Sequence, residues 1–258
     1  MLETETVLDR RRLRRSLSLW RGAGIAALTL AVGLLIFGSD KLASLSGQKQ
    51  IARIAIEGTI TEDRDQLKML KDITDAEHVQ GVILYVNSPG GTTTGGEALY
   101  GALRKLAEKK PLVAQFGTVA ASAGYIVGLS CDHIVARGNT ITGSVGVIVQ
   151  WPELDQLLDK LGVKVNEVKS GPLKATPSPF EPLTEEGRQV AQGMVTEGFK
   201  WFLGLVESRR GIKGADIPGL TEGRIFSGRE ALAAKLVDEI GGEDEAVKWL
   251  QDVKNVDK

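Results

Sequence analysis

Residues 82–91 read Val-Ile-Leu-Tyr-Val-Asn-Ser-Pro-Gly-Gly, an apolar run that ends in a proline and two glycines. An uninterrupted apolar run of this length, closed by turn residues, is typical of a strand that is buried on both faces. Such strands occur in parallel sheets whose two faces are covered by helices. The stretch therefore predicts an α/β fold with a glycine turn where this strand ends.

The sequence on either side supports the same fold class, because short β-rich runs alternate with longer helical patterns from Gln50 onward. The predicted strands are Ile51–Ile56, Val79–Val86, Leu112–Phe116, His133–Ala136 and Val145–Val149. The predicted helices are Asp65–Asp75, Gly95–Lys109, Ser122–Leu129, Pro152–Leu161, Thr184–Arg210 and Gly228–Lys235. This alternation indicates a mainly parallel sheet. Ser170–Pro182, which contains four prolines, predicts an irregular loop that is exposed or binds a ligand.

Composition limits the classes of function. The 258 residues suffice for one sizeable domain, and the net charge is −1. Six arginines lie within the first 21 residues, so the rest of the chain is acidic, which argues against nucleic acid as the main partner. Cys131 is the only cysteine, which excludes an intramolecular disulfide. Its apolar surroundings predict a buried structural thiol, with a reactive cysteine as the alternative.

A hydrophobic segment near the N-terminus predicts a membrane anchor. Gly22–Ser39 is an uncharged, mostly apolar run of eighteen residues, close to the lower length limit of a membrane-spanning helix. Because the arginines precede it, residues 1–21 are predicted to be cytoplasmic. Residues 40–49 would then form a linker, and residues 50–258 an extracytoplasmic domain. A cleaved leader peptide is the competing interpretation.

A possible nucleophile lies after the third predicted strand, in Ala120-Ala121-Ser122-Ala123-Gly124-Tyr125. A serine at the start of a helix has free N–H groups and the positive end of the helix dipole beside its hydroxyl. Together with a glycine turn such as Gly90-Gly91, it could attack a carbonyl and hold the resulting oxyanion. The alternatives are an ordinary N-cap for Ser122 and an ordinary turn for the glycines.

The two histidines are poor candidates for a general base. His133 is separated from Ser122 by the length of a helix, and His78 lies in the polar helix end Asp75-Ala76-Glu77-His78. A lysine can take this role if burial lowers its pKa from about 10.4 toward neutrality. Lys174 is the best candidate because its loop has no acidic residue before Glu181. A solvated lysine remains the alternative.

Four ordered motifs resemble those of bacterial signal peptide peptidase A in its short form. They are Asn87-Ser88-Pro89-Gly90-Gly91, Ala121-Ser122-Ala123-Gly124-Tyr125, Thr142-Gly143-Ser144-Val145-Gly146 and Gly171-Pro172-Leu173-Lys174. The segment from Arg224 to Gly242 is also similar to the closing segment of that family, so the resemblance extends over nearly all of the chain after Gln50.

The resemblance implies a fold and a set of roles. The fold would be of the Clp-protease/crotonase type, built from repeated ββα units. Ser122 matches the nucleophile of the family and Lys174 its general base, and Ser144 matches the serine that positions the lysine. Gly90, with Gly91 beside it, matches the turn that lines the oxyanion hole, with the N–H of Ala123 as the second donor. The family often has glycine where this chain has Ala123.

The resemblance further implies a serine endopeptidase with a Ser-Lys dyad that degrades cleaved signal peptides and similar apolar peptides at the outer face of the cytoplasmic membrane. Members of the family form homo-oligomeric rings in which serine and lysine come from adjacent protomers. Membrane lipid would contact the chain through its N-terminal helix. Neither a metal nor a cofactor is expected.

Two other classes of function remain open from the sequence. A crotonase-like acyl-CoA hydratase or hydrolase would have a similar fold and glycine turn, but it would need basic residues for the nucleotide of coenzyme A. A non-catalytic membrane scaffold would need only self-association, and in that case Ser122→Ala would have no effect.

Overall fold

The computed structural model describes residues 20–29, 32 and 49–254, and the chain divides into the units Met1–Lys49 and Gln50–Lys258. In the first unit, residues 20–29 are helical. The rest of the predicted membrane span, apart from residue 32, lies outside the described residues. Across the described ranges, no helix is long and apolar enough to cross a membrane.

The second unit is a mixed α/β structure around one mostly parallel sheet. Its strands are β1 (Gln50–Ile60), β2 (Val79–Gly91), β3 (Leu112–Ala121), β4 (His133–Ala136), β5 (Ile141–Gly143), β6 (Ile225–Ser227) and β7 (Glu239–Ile240). The order in the sheet is β1-β2-β3-β4-β7, with β5 paired to both β3 and β6. Within residues 49–254, only the β5–β6 pairing is antiparallel.

Helices follow most of the strands. They are α1 (Arg64–Asp75), α2 (Thr93–Ala107), α3 (Ala123–Leu129), α4 (Asp155–Lys160), α5 (Glu185–Arg210), α6 (Gly228–Ala233) and α7 (Glu243–Lys254). From β1 to β4, single strands alternate with single helices. The strands β4 and β5 then follow each other in the chain without a helix between them, and α4 comes after them. The predicted α/β class is confirmed, and the ββα order expected from the resemblance is present only in this last part.

Strand β2 explains why the sheet is buried on both faces. Val82, Leu84 and Val86 point into the main core, which contains residues of helices α1 to α3. Ile83 points to the opposite face and packs in a smaller cluster with Ala246 and Leu250 of α7. The continuous apolar run is thus divided between two cores, as the period of two along a strand requires.

One predicted strand is wrong. Residues 145–149 are not a strand, because the chain turns at Gly143 and Ser144, where φ is 82° and 52°. The pairing with β3 is made instead by β5, just before this turn. Beyond the turn Val145 is buried and Ile148 is 73% exposed, so the apolar residues do not share one sheet face. The strands β5, β6 and β7 and the helix α7 were not predicted.

The long helix α5 has two different halves. Phe202 and Val206 in its C-terminal half are buried in the main core, and Arg209 donates hydrogen bonds to the carbonyls of Leu129 and Cys131. In the N-terminal half Met194 is 68% exposed. The apolar residues of this helix are therefore covered by the body of the protomer only in part.

Candidate active site

Ser122 stands at the abrupt change from strand β3 to helix α3. Its backbone has φ 54° and ψ −123°, which is a costly conformation for a residue with a side chain. The side chain makes no capping hydrogen bond to the helix, so the N-cap interpretation is wrong. A serine on a strained strand-to-helix turn, with its hydroxyl free of the backbone, is the geometry of a nucleophile elbow.

The strained turn is held by the sheet on one side and by the helix on the other. The N–H of Ser122 donates to the carbonyl of Gly143 at 2.9 Å, and its own carbonyl accepts from the N–H groups of Tyr125 and Ile126. Tyr125 is fully buried and its hydroxyl donates to the carbonyl of Leu236 at 2.8 Å. Burial raises the pKa of this phenol, which therefore remains a neutral donor.

Gly90 lies directly against the serine. A Cβ atom on Gly90 would be 2.8 Å from the Cβ and 3.1 Å from the Oγ of Ser122, and the φ of 124° is also unfavourable for any L-residue with a side chain. The N–H of Gly90 donates to the buried Oγ of Ser88 at 3.1 Å. Ser88 therefore holds the glycine turn beside Ser122.

The other two predicted oxyanion residues differ in their surroundings. Ala123 is the first residue of α3, so its N–H has no acceptor within the helix and lies immediately after the nucleophile. Gly91 pairs with Ile60 of β1, and a Cβ atom there would collide with the backbone of Ile60. The glycine at position 91 is thus explained by strand packing, whereas the position of Ala123 suits an oxyanion donor.

Ser144 is brought to Ser122 by the pairing of β3 with β5. Its φ of 52° follows the positive φ of Gly143, and its N–H donates to the carbonyl of Arg224 at 3.0 Å. Ser122 and Ser144 line the same pocket of about 490 Å³. The two serines are 22 positions apart in the chain, and the tight turn after β5 directs them to a common space.

The rest of this pocket is mainly apolar, with a few polar groups. Its other lining residues are Val145, Gly146, Val147, Ile148, Gln192, Val195, Thr196, Phe199, Thr221, Glu222 and Gly223. Helix α5 supplies one wall and the turn after Ser144 supplies another. An open pocket of this size, with apolar residues from α5 and from the turn after Ser144, can hold an apolar side chain of an extended peptide.

Lys174 does not line this pocket. Its side chain is exposed, and its N–H donates to the carbonyl of Gly171 within a turn. The irregular loop predicted over Ser170–Pro182 is confirmed. Among the described residues, one protomer thus brings together Ser122, Ser144 and Gly90 and leaves Lys174 outside their pocket.

Neither histidine lies near Ser122 in the sheet. His133 begins β4 opposite Val113, at the amino end of β3, whereas Ser122 follows the carboxyl end of that strand. Its ring stacks on Trp249 with 5.1 Å between the ring centroids. His78 is exposed. The position of His133 agrees with the argument that the length of α3 separates it from the nucleophile.

Cys131 is buried, and burial raises the pKa of its thiol to about 12. At neutral pH the sulfur is therefore a protonated thiol and a poor nucleophile. The structure agrees with a structural role for this cysteine.

The sequence did not single out Ser88, Gln192, Thr196 or Glu222 for a place in the site. Ser88 was visible only as part of the Asn-Ser-Pro-Gly-Gly motif. Gln192 and Thr196 lie far from the motifs in sequence, Glu222 lies just before the closing segment, and no local signal connects any of the three with Ser122. They reach the pocket because α5 and the segment before β6 pack against the carboxyl end of β3.

Comparison with known proteins gives two family matches. Residues 104–257 match peptidase family S49, and residues 48–137 match the Clp protease family. The first match includes Ser122, Ser144 and Lys174, and the second includes the glycine turn and Ser122. The mixed α/β fold with its parallel-rich sheet is consistent with a Clp-protease-like fold.

Individual relatives agree with these matches. A Synechocystis sp. protein named "Putative protease" is 35% identical over 82% of this chain and 77% of its own length. An Enterococcus faecium protein named "Putative signal peptide peptidase SppA" is 31% identical over 87% of this chain and 71% of its own length. Protease 4 of Haemophilus influenzae is 31% identical over 84% of this chain, which spans 37% of that longer protein.

Proposed function

The chain belongs to peptidase family S49 and is a serine peptidase, and we propose that it cleaves apolar peptides, among them cleaved signal peptides, with Ser122 as nucleophile and Lys174 as general base. The observation that carries the proposal is the strained backbone of Ser122, at φ 54°, beside Gly90 and a pocket. Such strain persists where the surrounding structure imposes it, and it is concentrated at active sites.

The reaction would proceed through an acyl-enzyme. Neutral Lys174 takes the proton from Ser122 Oγ, and the oxygen attacks the peptide carbonyl. The N–H of Ala123 donates to the developing oxyanion, and the N–H of Gly90 joins it by leaving Ser88. The lysine ammonium then protonates the leaving amine. In the second half, Lys174 deprotonates a water that attacks the ester, and the proton returns to Ser122.

The proposed base needs an environment that the isolated protomer does not provide. A lysine acts as a base near neutral pH only when burial disfavours its ammonium form. Lys174 is exposed in the protomer and belongs to a loop between α4 and α5. We therefore place the lysine of one protomer at the serine pocket of a neighbour, where Ser144 would accept a hydrogen bond from the amine and position it.

Exposed apolar residues support self-association. Between residues 148 and 194 they include Ile148, Val149, Leu157, Leu161, Val163, Val165, Val168, Leu173, Phe180, Val190 and Met194. A segment with this many exposed apolar side chains is typical of an interface between subunits. Its position around Lys174 agrees with a homo-oligomeric ring in which contact between protomers completes each site.

Membrane anchoring is part of the proposal. The arginines before Gly22 and the apolar run up to Ser39 predict an N-terminal segment that holds residues 50–258 at the outer face of the cytoplasmic membrane. Cleaved signal peptides are apolar and are released in that membrane. An apolar pocket close to the bilayer could bind them in extended form.

The crotonase-like alternative is weakened by the pocket. Its lining residues include neither lysine nor arginine, so among the described residues no cation is placed there to bind the phosphates of coenzyme A. The non-catalytic scaffold remains for experiment to exclude.

The decisive experiment is hydrolysis of a synthetic signal peptide by the full-length chain in detergent. Ser122→Ala should reduce the rate by about 10⁴-fold or more, because it removes the attacking oxygen. The matched control is Ser208→Ala on the exposed surface of α5, which should retain the wild-type rate. Equal rates for the wild type and Ser122→Ala would refute the proposed nucleophile, and no cleavage by the wild type would favour the scaffold.

A further inference from the structure

Glu222 is the one charged residue among the described residues that line the pocket of Ser122 and Ser144. It ends a short 3-10 turn, Leu220–Glu222, and the next residue, Gly223, lies beside Val145. The side chain of Glu222 is exposed. The pocket combines apolar residues, hydroxyl and amide groups and one carboxylate, and the proposed reaction does not require that carboxylate.

The turn holds Glu222 in place. Leu220 is fully buried, and glycines with positive φ, Gly219 and Gly223, close the turn on both sides. The N–H of Arg224 donates to the carbonyl of Gly219 at 3.0 Å, and the carbonyl of Arg224 accepts from Ser144. The carboxylate is therefore attached to the same rigid unit that positions Ser144.

The nearest basic residue in the chain is already engaged elsewhere. The guanidinium of Arg224 pairs with Glu230 at 2.6 Å and lies 4.8 Å from the centre of the Phe226 ring. Within the described part of the chain, Glu222 has no ion pair and no side-chain hydrogen bond. Its negative charge is available to a group that enters the pocket from outside.

We propose that Glu222 is a specificity residue that selects substrates with a lysine or arginine at the position that supplies the attacked carbonyl. This inference rests on the proposed function of Ser122. The apolar stem of such a side chain would lie along Val195 and Phe199 of α5, and its cationic end would reach Glu222. Long basic side chains combine an apolar stem and a charged end in this way, and the pocket presents both surfaces.

The physical basis is electrostatic complementarity. A carboxylate in a partly enclosed pocket attracts a cation and repels an anion, which raises the specificity for one over the other. Because Glu222 is exposed, water and salt screen the interaction, and its contribution is modest. The preference should consequently weaken as ionic strength rises.

The test compares four peptides that differ only at this position, with lysine, norleucine, leucine or glutamate. Norleucine has the stem of lysine without the amine, so the ratio of kcat/KM for lysine to that for norleucine isolates the charge. In Glu222→Gln this ratio should fall by about threefold to tenfold, the size expected of a partly screened ion pair. The control is Glu197→Gln, on α5 but outside the pocket, which should keep the wild-type ratio.

Three results of this assay have distinct meanings. A lower lysine-to-norleucine ratio of kcat/KM in Glu222→Gln, but not in Glu197→Gln, supports the inference. An unchanged ratio in both variants overturns it. An equal change for all four peptides, together with a shifted pH profile, also overturns it, because Glu222 would then act on the catalytic base of a neighbouring protomer rather than on the substrate.

A binding measurement separates this inference from the proposed function. Fluorescence anisotropy with the same peptides is made on the full chain carrying Ser122→Ala, with and without Glu222→Gln. If the wild type cleaves nothing, the proposed function fails. Tighter binding of the lysine peptide than of the norleucine peptide, lost with Glu222→Gln, would still support the role of Glu222, and equal binding of both peptides would overturn it.

Discussion

The turn around Ser122 and the loop around Lys174 differ in how the protomer holds them. Ser122 is fixed between a buried strand and a fully buried helix, with its N–H and its carbonyl both hydrogen-bonded. Lys174 lies in an irregular loop whose neighbours Leu173 and Val168 are exposed, Val168 at 104%. The protomer thus holds one half of the proposed site rigidly and leaves the other half exposed, and our proposal assigns completion of the site to a neighbouring protomer.

The difference has a physical origin. Strain at Ser122 can persist because the packing of β3, β5 and α3 outweighs its cost. The loop of Lys174 has no such support, and its exposed apolar residues gain stability only when another surface covers them. The rigid turn at Ser122 and the exposed loop at Lys174 are therefore consequences of where the core lies, and the proposed roles of nucleophile and assembly-dependent base follow this difference.

The largest effect that compares the loop with the turn is expected for the loop. Lys174→Ala should reduce peptide hydrolysis by about 10³-fold or more without changing thermal stability, because the exposed side chain makes no hydrogen bond or ion pair with the described residues. Lys164→Ala, in the same exposed region, is the matched control and should be fully active. Hydrolysis measured beside a melting curve separates the two effects. Full activity of Lys174→Ala would remove this lysine from the site.

A mixing experiment sharpens the same comparison. When chains with Ser122→Ala and chains with Lys174→Ala assemble together, a site shared between protomers should recover about a quarter of the wild-type activity, because random neighbours supply both groups in that fraction of contacts. Hydrolysis is measured after co-expression. If each inactive chain folds and assembles but the mixture stays inactive, both groups of a site come from one protomer.

The next largest effect is expected at the glycine turn that contains Gly90. Gly90→Ala should lower kcat by about 10²-fold and destabilise the protein by about 1–3 kcal/mol, because the new methyl group would collide with Ser122 and the φ of 124° disfavours alanine. Gly101→Ala in α2 has open space around it and should stabilise slightly by its helix propensity. Steady-state kinetics measure the change in kcat, and urea unfolding measures the change in the free energy of unfolding. Unchanged kinetics in Gly90→Ala would argue against an oxyanion role for this turn.

A core residue and a loop residue should differ in how much they contribute to stability. Phe202→Ala removes a ring that is 1% exposed in the core and should cost about 3–5 kcal/mol. Val168→Ala, in the loop region, should change the protomer by less than about 0.5 kcal/mol and act instead on self-association. Urea unfolding measures the first, and sedimentation velocity measures the second. A large loss of stability in Val168→Ala would show that the loop belongs to the folded core.

The smallest effect is a pH dependence of stability that arises from Glu230. The backbone N–H of Ser227, its hydroxyl and Arg224 lower the pKa of Glu230. A lowered carboxyl pKa stabilises the fold above the ordinary value of about 4.3 and stops doing so as the pH falls through the folded value. Glu230→Gln should therefore lower the melting temperature at pH 7, and the difference should shrink toward pH 3. Glu62→Gln, on an exposed loop, is the control. A difference that persists at low pH would assign the effect to packing rather than charge.

Much of the fold could be predicted because its signals are local. The strand His133–Ala136 has the predicted bounds, and the helices α1 to α3 begin within two residues of prediction. The strand predicted over Val145–Val149 was wrong because valine-rich sequence favours a strand, whereas the backbone turns at Gly143 and Ser144. The short strands β6 and β7 were missed because two or three residues have no periodicity to detect.

The sequence by itself determined the α/β class, the glycine turn after β2 and a serine at the start of a helix, since each depends on neighbours a few positions away. Only the tertiary structure decided that Ser122 is strained rather than a helix cap, that Ser88 holds Gly90, and that Glu222 shares the pocket of Ser144. The first and last of these relations join distant segments, since Ser122 is hydrogen-bonded to Gly143 and Glu222 lies 78 positions from Ser144. They are fixed by the register of the sheet and the packing of α5, which no local pattern encodes.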